Sequence, residues 1–508
     1  MGPVKRVLLG SAAGVFAVAG AQAADLAVKA KPVEYVKVCS LYGAGFWYVP
    51  GTDTCIKIGA FVKLQTAYHA NPGGPFMMGA AANGAGDTSG RQTRTDTSQF
   101  SFNNRSAVSF DMRTQTEYGT LRSYFDAFFQ TQGSSSAGNQ LSSITLGNTR
   151  GFLQFAGFTA GRMRSFFDLY FQGTYALAGG RFAADTAPNG IIGAAYTWQF
   201  GGGLSGSVSL EDNGQGNSGR GRSTVNLGFA GPNTVGIVGG VPAVVTPAPL
   251  TVGNNVFDNK GQEFFDPVFN LRLDQAWGFV GASAALHDAS GGYYGATEGT
   301  GHPGDKFGWA ATAAFLVNNP FGLAGDTVAG QAVYTKGAAG YATAAWGPTA
   351  VFGSGLNAGL GWLAEGVYAP GTNVELTTVW SFNAAYEHRW NPQWRTSVYG
   401  GMFGVQYDGA ATALICSGLA SGVTFGTSFR NVSNCDPNFS MSGVGSRTMW
   451  NPVPDLDVGF DVVWWHLNTA FAGTATLGAN GAKPSGTYTI SDKDTVSAIF
   501  RVQRNFLY

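Results

Sequence analysis

Between Phe100 and Arg113 the chain alternates with a period of two. Phe100, Phe102, Val108, Phe110 and Met112 are apolar, whereas Ser101, Asn103, Arg105, Ser109, Asp111 and Arg113 are polar or charged. A strand sends successive side chains to opposite faces, so this stretch predicts one oily face and one charged face. After a short turn at Glu117, Tyr118 and Gly119 the pattern resumes. Leu121, Phe125 and Phe129 share one face, and Arg122, Asp126 and Gln130 share the other. The same alternation returns in Phe269, Leu271 and Leu273 against Asn270, Arg272 and Asp274. It returns again in Val374, Leu376, Trp380 and Phe382 against Glu375, Ser381 and Asn383, and in Trp394 and Val398 against Arg395, Ser397 and Tyr399. Leu456, Val458, Phe460, Val462 and Trp464 alternate with Asp457 and Asp461. The chain ends on Val496, Ala498, Phe500, Val502, Phe506 and Tyr508, with Ser497, Arg501 and Gln503 between them.

A soluble sandwich also alternates, with its apolar face as the core. Three features favour a membrane sheet instead. The strands run roughly 9 to 14 residues, longer than those of most soluble sheets and suited to a tilted bilayer span. Tight turns (117–119, Asn319-Pro320, Asn391-Pro392, Asn451-Pro452) alternate with long Gly/Ser/Asn-rich loops, the arrangement of outer-membrane proteins. Aromatic residues collect near strand ends, where an interfacial girdle requires them. No uninterrupted apolar stretch long enough for a spanning helix follows the first residues. Val235 to Val252 is uncharged but holds Pro242, Pro247 and Pro249 and reads as loop. Hydrocarbon offers no partner for backbone N–H and C=O groups, so what remains is a closed barrel.

Counting hairpins gives its size. The candidate strands are 55–69, 98–116, 120–132, 147–156, 159–167, 191–200, 204–211, 265–276, 279–289, 307–318, 326–339, 373–390, 394–408, 438–450, 456–468 and 493–508. The expected fold is therefore all-β, a sixteen-stranded antiparallel transmembrane barrel with short periplasmic turns and long extracellular loops. A barrel of that number encloses water, which agrees with charged inner faces. Composition fits: charged residues are 12%, about half the usual share of a soluble domain, and aromatics are 13%. With 30 basic and 30 acidic residues there is no surplus to bind nucleic acid. The expected surroundings are outer-membrane lipid.

Residues 1–23 read as a cleaved secretory signal: Lys5 and Arg6, an apolar run from Val7 to Ala19, and a cleavage site at Ala21, Gln22 and Ala23. An N-terminal extension with Cys39 follows over 24–54, and the barrel domain spans 55–508. Four cysteines allow three connectivities, and two local bridges, Cys39 with Cys55 and Cys416 with Cys435, close the shortest loops. An exported compartment keeps such bridges oxidised.

Motifs for catalysis are thin, and the chain reads as a non-enzyme without cofactor or metal. Gly214 to Gly219 matches G-x-G-x-x-G literally but has no strand before it or helix after it. His69, His287, His302, His388 and His466 are scattered without metal-ligand spacing.

Several stretches resemble the alphaproteobacterial porins of the rhizobial group. The run Val33 to Cys39, followed by Tyr42-Gly43-Ala44-Gly45 and Pro50 to Cys55, is similar to their N-terminal signature. Phe110 to Arg122 resembles their second hairpin, as does Phe155 to Arg162 with Ser165-Phe166-Phe167-Asp168 downstream. The C-terminal run Arg501 to Phe506 is also similar, although Leu507 and Tyr508 extend it. The resemblance implies a homotrimer, a third extracellular loop folded into the lumen, and passive diffusion of small hydrophilic solutes and ions. A substrate-specific channel for sugars or anions is the first alternative, and an outer-membrane enzyme or adhesin the second. On this reading the constriction loop is 168–190. The candidate pore-lining residues are Arg105, Asp111, Arg113, Arg122, Asp126, Arg162, Arg164, Asp168, Arg181 and Asp185, with Arg162 and Arg164 expected on one inward face. The segment 212–264 is long for one loop.

Overall fold

The computed structural model describes residues 37–69, 100–132, 143–170, 172–177, 186, 190–213, 222–228, 234–238, 241–246, 251–252, 258–295, 297–343, 349–353, 355–420, 424–425, 429–479 and 483–506. Among them, sixteen strands pair edge to edge. They are β1 (Thr54–His69), β2 (Phe100–Thr116), β3 (Gly119–Gln132), β4 in two pieces (Ser143–Gly147 and Gly151–Phe155), β5 (Phe158–Met163), β6 (Ile191–Gly201), β7 (Leu204–Glu211) and β8 (Asp266–Gln275). The second half comprises β9 (Gly278–Asp288), β10 (Phe307–Asn318), β11 (Thr327–Lys336), β12 (Thr378–Arg389), β13 (Trp394–Gln406), β14 (Phe439–Trp450), β15 (Leu456–Asn468) and β16 (Lys493–Phe506). Every neighbouring pair is antiparallel. The ring closes where β1 meets β16, from Ala60 opposite Phe506 to His69 opposite Ser497. A closed ring leaves no edge with unpaired backbone groups, the condition for crossing hydrocarbon.

The period-two pattern decides which face each residue takes. Phe129, Phe269, Leu271, Phe382, Phe460 and Phe500 are exposed on the outer face, while Ser209, Ser381, Asn383, Asp461 and Ser497 are buried inside. Two aromatic belts ring the outside. Near the turns, Trp394 stacks on Trp450 with centroids 5.5 Å apart, and Trp198, Trp277 and Phe321 lie exposed. Near the loops, Trp309 contacts Tyr334 at 5.6 Å, with Phe100, Phe307 and Trp464 exposed alongside. These belts match the two interfaces of a bilayer. The turns are as short as the sequence predicts. At Gly203 (φ +82°) a Cβ would meet Asp274 O at 1.9 Å, so only glycine lets this turn close on β8.

The strand boundaries match the sequence reading closely, with four differences. β4 is interrupted at 148–150 rather than continuous over 147–156, because Asp126 captures the backbone there. β5 ends at Met163, and residues 164–167 leave the wall. β12 begins at Thr378; Val374 and Leu376 are buried in a loop layer where Glu375–Leu376 pairs with Gly366 and Val367. Val235 to Val252, expected as plain loop, contains the antiparallel hairpin Thr234–Val238 with Val241–Thr246. A helix, α1 (Gly409–Ala420), was absent from the sequence reading. Its signal is an N-cap: Asp408 Oδ1 accepts the Ala411 N–H at 2.9 Å, and Ala411, Ile415 and Leu419 bury one face at four-residue spacing.

Both local disulfides form, Cys39–Cys55 and Cys416–Cys435. The first ties the N-terminal segment to the start of β1, where Trp47–Tyr48 pairs with Ile56 and Cys55. The second joins α1 to the segment that leads into β14.

Candidate functional site

The segment after β5 turns into the barrel and crosses it. At its root, Glu211 on β7 accepts the Ser165 hydroxyl at 2.6 Å and the Phe166 N–H at 2.8 Å. The Phe166 carbonyl then accepts Asn270 of β8 at 3.0 Å, and Tyr175 hydroxyl meets Thr327 of β11 at 3.1 Å. Ser397 of β13 donates to the Tyr175 carbonyl at 2.6 Å. At the far side, the Leu177 N–H donates to Asp461 of β15, and Arg501 of β16 reaches the Leu177 carbonyl at 3.4 Å. One short segment thus touches six of the sixteen strands from inside. Glu211 and Asp461 are 0% and 1% exposed, so each is a buried acceptor fixing one end of the loop.

The interior is divided. Against β8 to β15 the loops pack tightly: Phe167, Tyr341, Trp362, Phe403, Trp465 and Tyr488 belong to one apolar cluster with the inner wall. Tyr407 hydroxyl donates to the Trp362 carbonyl at 2.7 Å, and burial pushes that phenol above its ordinary value. Beneath this layer His287 bridges Asp266 (2.6 Å) and Glu365 (3.1 Å), tying the loop after β11 to the wall. Against β1 to β4 no such layer exists among the described residues. The inward positions Lys57, Lys63, Arg105, Asp111, Arg113, Arg122 and Asp126 are all partly exposed. Among the described residues, that wall is the more exposed side of the lumen.

The site residues fall into three groups, two predicted from the sequence and one not. Arg105, Asp111, Arg113, Arg122 and Asp126 share the inward face of β2 and β3, as the register pairs Arg113 with Arg122 and Ser109 with Asp126. Asp111 lies between two arginines, with Arg113 at 2.7 Å and Arg122 at 2.9 Å, both bidentate. The Arg113 guanidinium also stacks 4.9 Å from the Phe46 ring of the N-terminal segment. Asp126 has a second task that the sequence hid. It accepts the Thr149 and Arg150 N–H groups at 2.6 and 3.1 Å and holds the break in β4.

The second group needs correction. Arg162 pairs with Gly151 and Ile192 and takes the register of Phe158 and Ile192, which are exposed outside; the buried inward positions are Thr159 and Met163. Arg164 lies past the strand end and donates to the Tyr170 carbonyl at 2.5 Å. The two arginines therefore do not share an inward face: β5 ends between them. Asp168 is buried and closes the inner loop on itself through the Thr186 N–H at 2.8 Å. Arg181 and Asp185 lie outside the described residues.

The third group was missed. Glu211 and Asp461 dock the loop, and Lys63 and Arg501 add cations to the open wall. Asp461 and Arg501 stood in the alternation as inward residues, but nothing local marks which inward residue meets a loop.

A family model described as a porin subfamily matches residues 25–499. Protein y4fJ of Sinorhizobium fredii is 33% identical over 219 residues, 40% of this chain and 59% of the relative. Porin Omp2b of Brucella suis is 31% identical over 250 residues, 46% of this chain and 61% of the relative. The chain thus spans about three fifths of the curated relatives it matches. The outer membrane channel DcaP of Acinetobacter baumannii has the same fold, with a TM-score of 0.56 at 12% identity, covering 90% of this chain and 99% of that one. The family points to a channel rather than an enzyme. With a closed barrel, an aromatic-belted outer face and a match along nearly its whole length, the chain belongs to the porin subfamily and is a multi-pass protein of the outer membrane.

Proposed function

We propose that this protein forms a water-filled pore through which small hydrophilic solutes and ions diffuse passively across the outer membrane. One observation carries the reading. The segment from Ser165 to Leu177 spans the inside of a closed barrel and leaves a charged, partly exposed wall opposite it. Such an arrangement narrows a channel without closing it, and selectivity then follows width and fixed charge. Arg105, Asp111, Arg113 and Arg122 line the path, and the inner loop with its tip near Asp461 sets the width. Assembly as a homotrimer is part of the same proposal, as is removal of residues 1–23 during export.

The test is a planar-bilayer recording of the refolded full chain. Discrete conductance steps that scale with bulk salt conductivity, grouped in threes, are expected. A protein that inserts but carries no ion current would overturn the pore reading, and steps that are never grouped would overturn the trimer.

A further inference from the structure

Lys63, Arg105 and Arg501 lack the carboxylate partners that the paired lumen arginines have. Arg113 and Arg122 hold Asp111, Arg272 holds Asp274, and Arg395 and Arg447 hold Glu387. Among the described residues, no carboxylate forms an ion pair with Lys63, Arg105 or Arg501. Yet the register sets Lys63 directly opposite Arg105 on β1 and β2, and Gln65 opposite Arg501 on β1 and β16. Both guanidiniums lie close enough to repel the Lys63 ammonium. Like charges facing each other across a strand pair are destabilising, and a polar neutral residue would wet this wall equally well.

The neighbours hold the charges in place without neutralising them. Gln130 Oε1 accepts from Arg105 Nε at 2.7 Å and from its Nη2, while the Phe128 ring lies 4.2 Å from the same guanidinium. Gln65 Oε1 accepts from Arg501 Nε at 3.0 Å and Nη2 at 2.7 Å. A glutamate at either place would form an ion pair; the amide orients the fork and leaves its charge. Each guanidinium has five N–H donors, so Arg105 keeps three for another acceptor. The nearest acids, Asp126 and Asp461, attract Arg105 and Arg501 from a distance, but their hydrogen bonds go elsewhere: Asp126 to Thr149 and Arg150, Asp461 to Leu177 and Tyr399. Arg501 also touches the Leu177 carbonyl at 3.4 Å, which places the cluster beside the loop that crosses the lumen.

We propose that Lys63, Arg105 and Arg501 form an oxyanion site on the pore wall, at which phosphate-bearing solutes pause as they pass. Two oriented planar forks and a point charge suit a tetrahedral dianion with several acceptor oxygens, where a carboxylate monoanion offers two oxygens and one charge. The site rests on the pore reading and gives it a substrate class.

The experiment uses the full refolded chain in planar bilayers, with inorganic phosphate and acetate as probes. The unaltered protein should prefer chloride over potassium, and millimolar phosphate should reduce its chloride current saturably. The triple variant Lys63→Gln, Arg105→Gln, Arg501→Gln should keep discrete steps, lose the phosphate block and shift its reversal potential toward cations. Arg272→Gln, a paired arginine elsewhere on the wall, should keep the block. Phosphate block that survives the triple substitution, or an unaltered protein that prefers potassium, would remove the site. Equal block by acetate would overturn the phosphate assignment. Absence of current in every protein would instead sink the pore reading beneath it. Should the triple variant fail to fold, Arg105→Gln alone must weaken phosphate block several-fold.

Discussion

The wall of β8 to β15 and the wall of β1 to β4 belong to one continuous sheet, yet they meet different interiors. On the first, many inward residues are small or apolar (Ala310, Ala314, Ala329, Ala385, Phe403), and loops settle on them. On the second, inward residues are long and charged, and the cost of removing them from water keeps them in contact with it. A barrel of this circumference can hold packed protein over one arc and solvent over the other. The lumen is therefore smaller than strand number alone implies, and the charges of β1 to β4 keep more contact with water than the paired, buried charges opposite, such as Arg447 with Glu387.

Truncating matched aromatics on the two sides should separate them most. Trp362, buried and stacked 5.7 Å from Tyr407, should cost about 3–5 kcal/mol on replacement by Ala. Tyr124, part-exposed on the open wall and stacked 5.4 Å from Phe152, should cost about 1–2 kcal/mol. Urea unfolding in detergent compares the two, and equal midpoints would dissolve the contrast.

A smaller stability effect with a larger electrical one is expected at the boundary between the halves. Asp461→Ala removes the acceptor for Leu177 N–H and Tyr399 hydroxyl, a loss of about 1–3 kcal/mol. The inner loop should lift from β15 and single-channel conductance should rise. Conductance that stays the same would mean the loop is held by its other anchors, at Glu211, Asn270, Thr327 and Ser397.

The turn side offers a pH handle outside the membrane. Burial works against ionisation of Asp326, but donation from the Arg389 N–H (2.9 Å), His388 (2.8 Å) and Tyr386 (2.5 Å) outweighs it and holds the carboxyl below its ordinary value. A lowered native pKa contributes stability above the unfolded value of about 3.9, and that contribution fades as pH falls through the native value. Unfolding midpoints should therefore drop below about pH 4 in the natural protein, and Asp326→Asn should flatten that drop. The smallest effect should come from Arg162→Ala: on the outer register, its loss should leave the reversal potential unmoved, whereas Arg105→Ala should shift it.

How much could be read in advance depends on the range of the interaction. Phe129 and Gln130 were assigned to opposite faces correctly because a pleat places neighbours on opposite sides wherever the strand lies. Arg162 was misassigned because β5 is only six residues long and its parity is anchored by Thr159 and Met163, which carry no alternating signature of their own. Asp126 stood on the right face, but its bonds to Thr149 and Arg150 depend on where β4 breaks. Glu211 and Asp461 gave no sign of docking a loop, since Ser165 lies 46 residues from Glu211 and Leu177 lies 284 residues from Asp461.

What the chain itself determined was the ring: long two-faced strands joined by short turns, oily outside and polar within, with closure forced by backbone groups that hydrocarbon cannot satisfy. What tertiary structure alone decided was which inward residues stay wet. That outcome rests on contacts between distant segments, chiefly the loop lodged between Glu211 and Asp461, and no local periodicity encodes where a loop comes to rest.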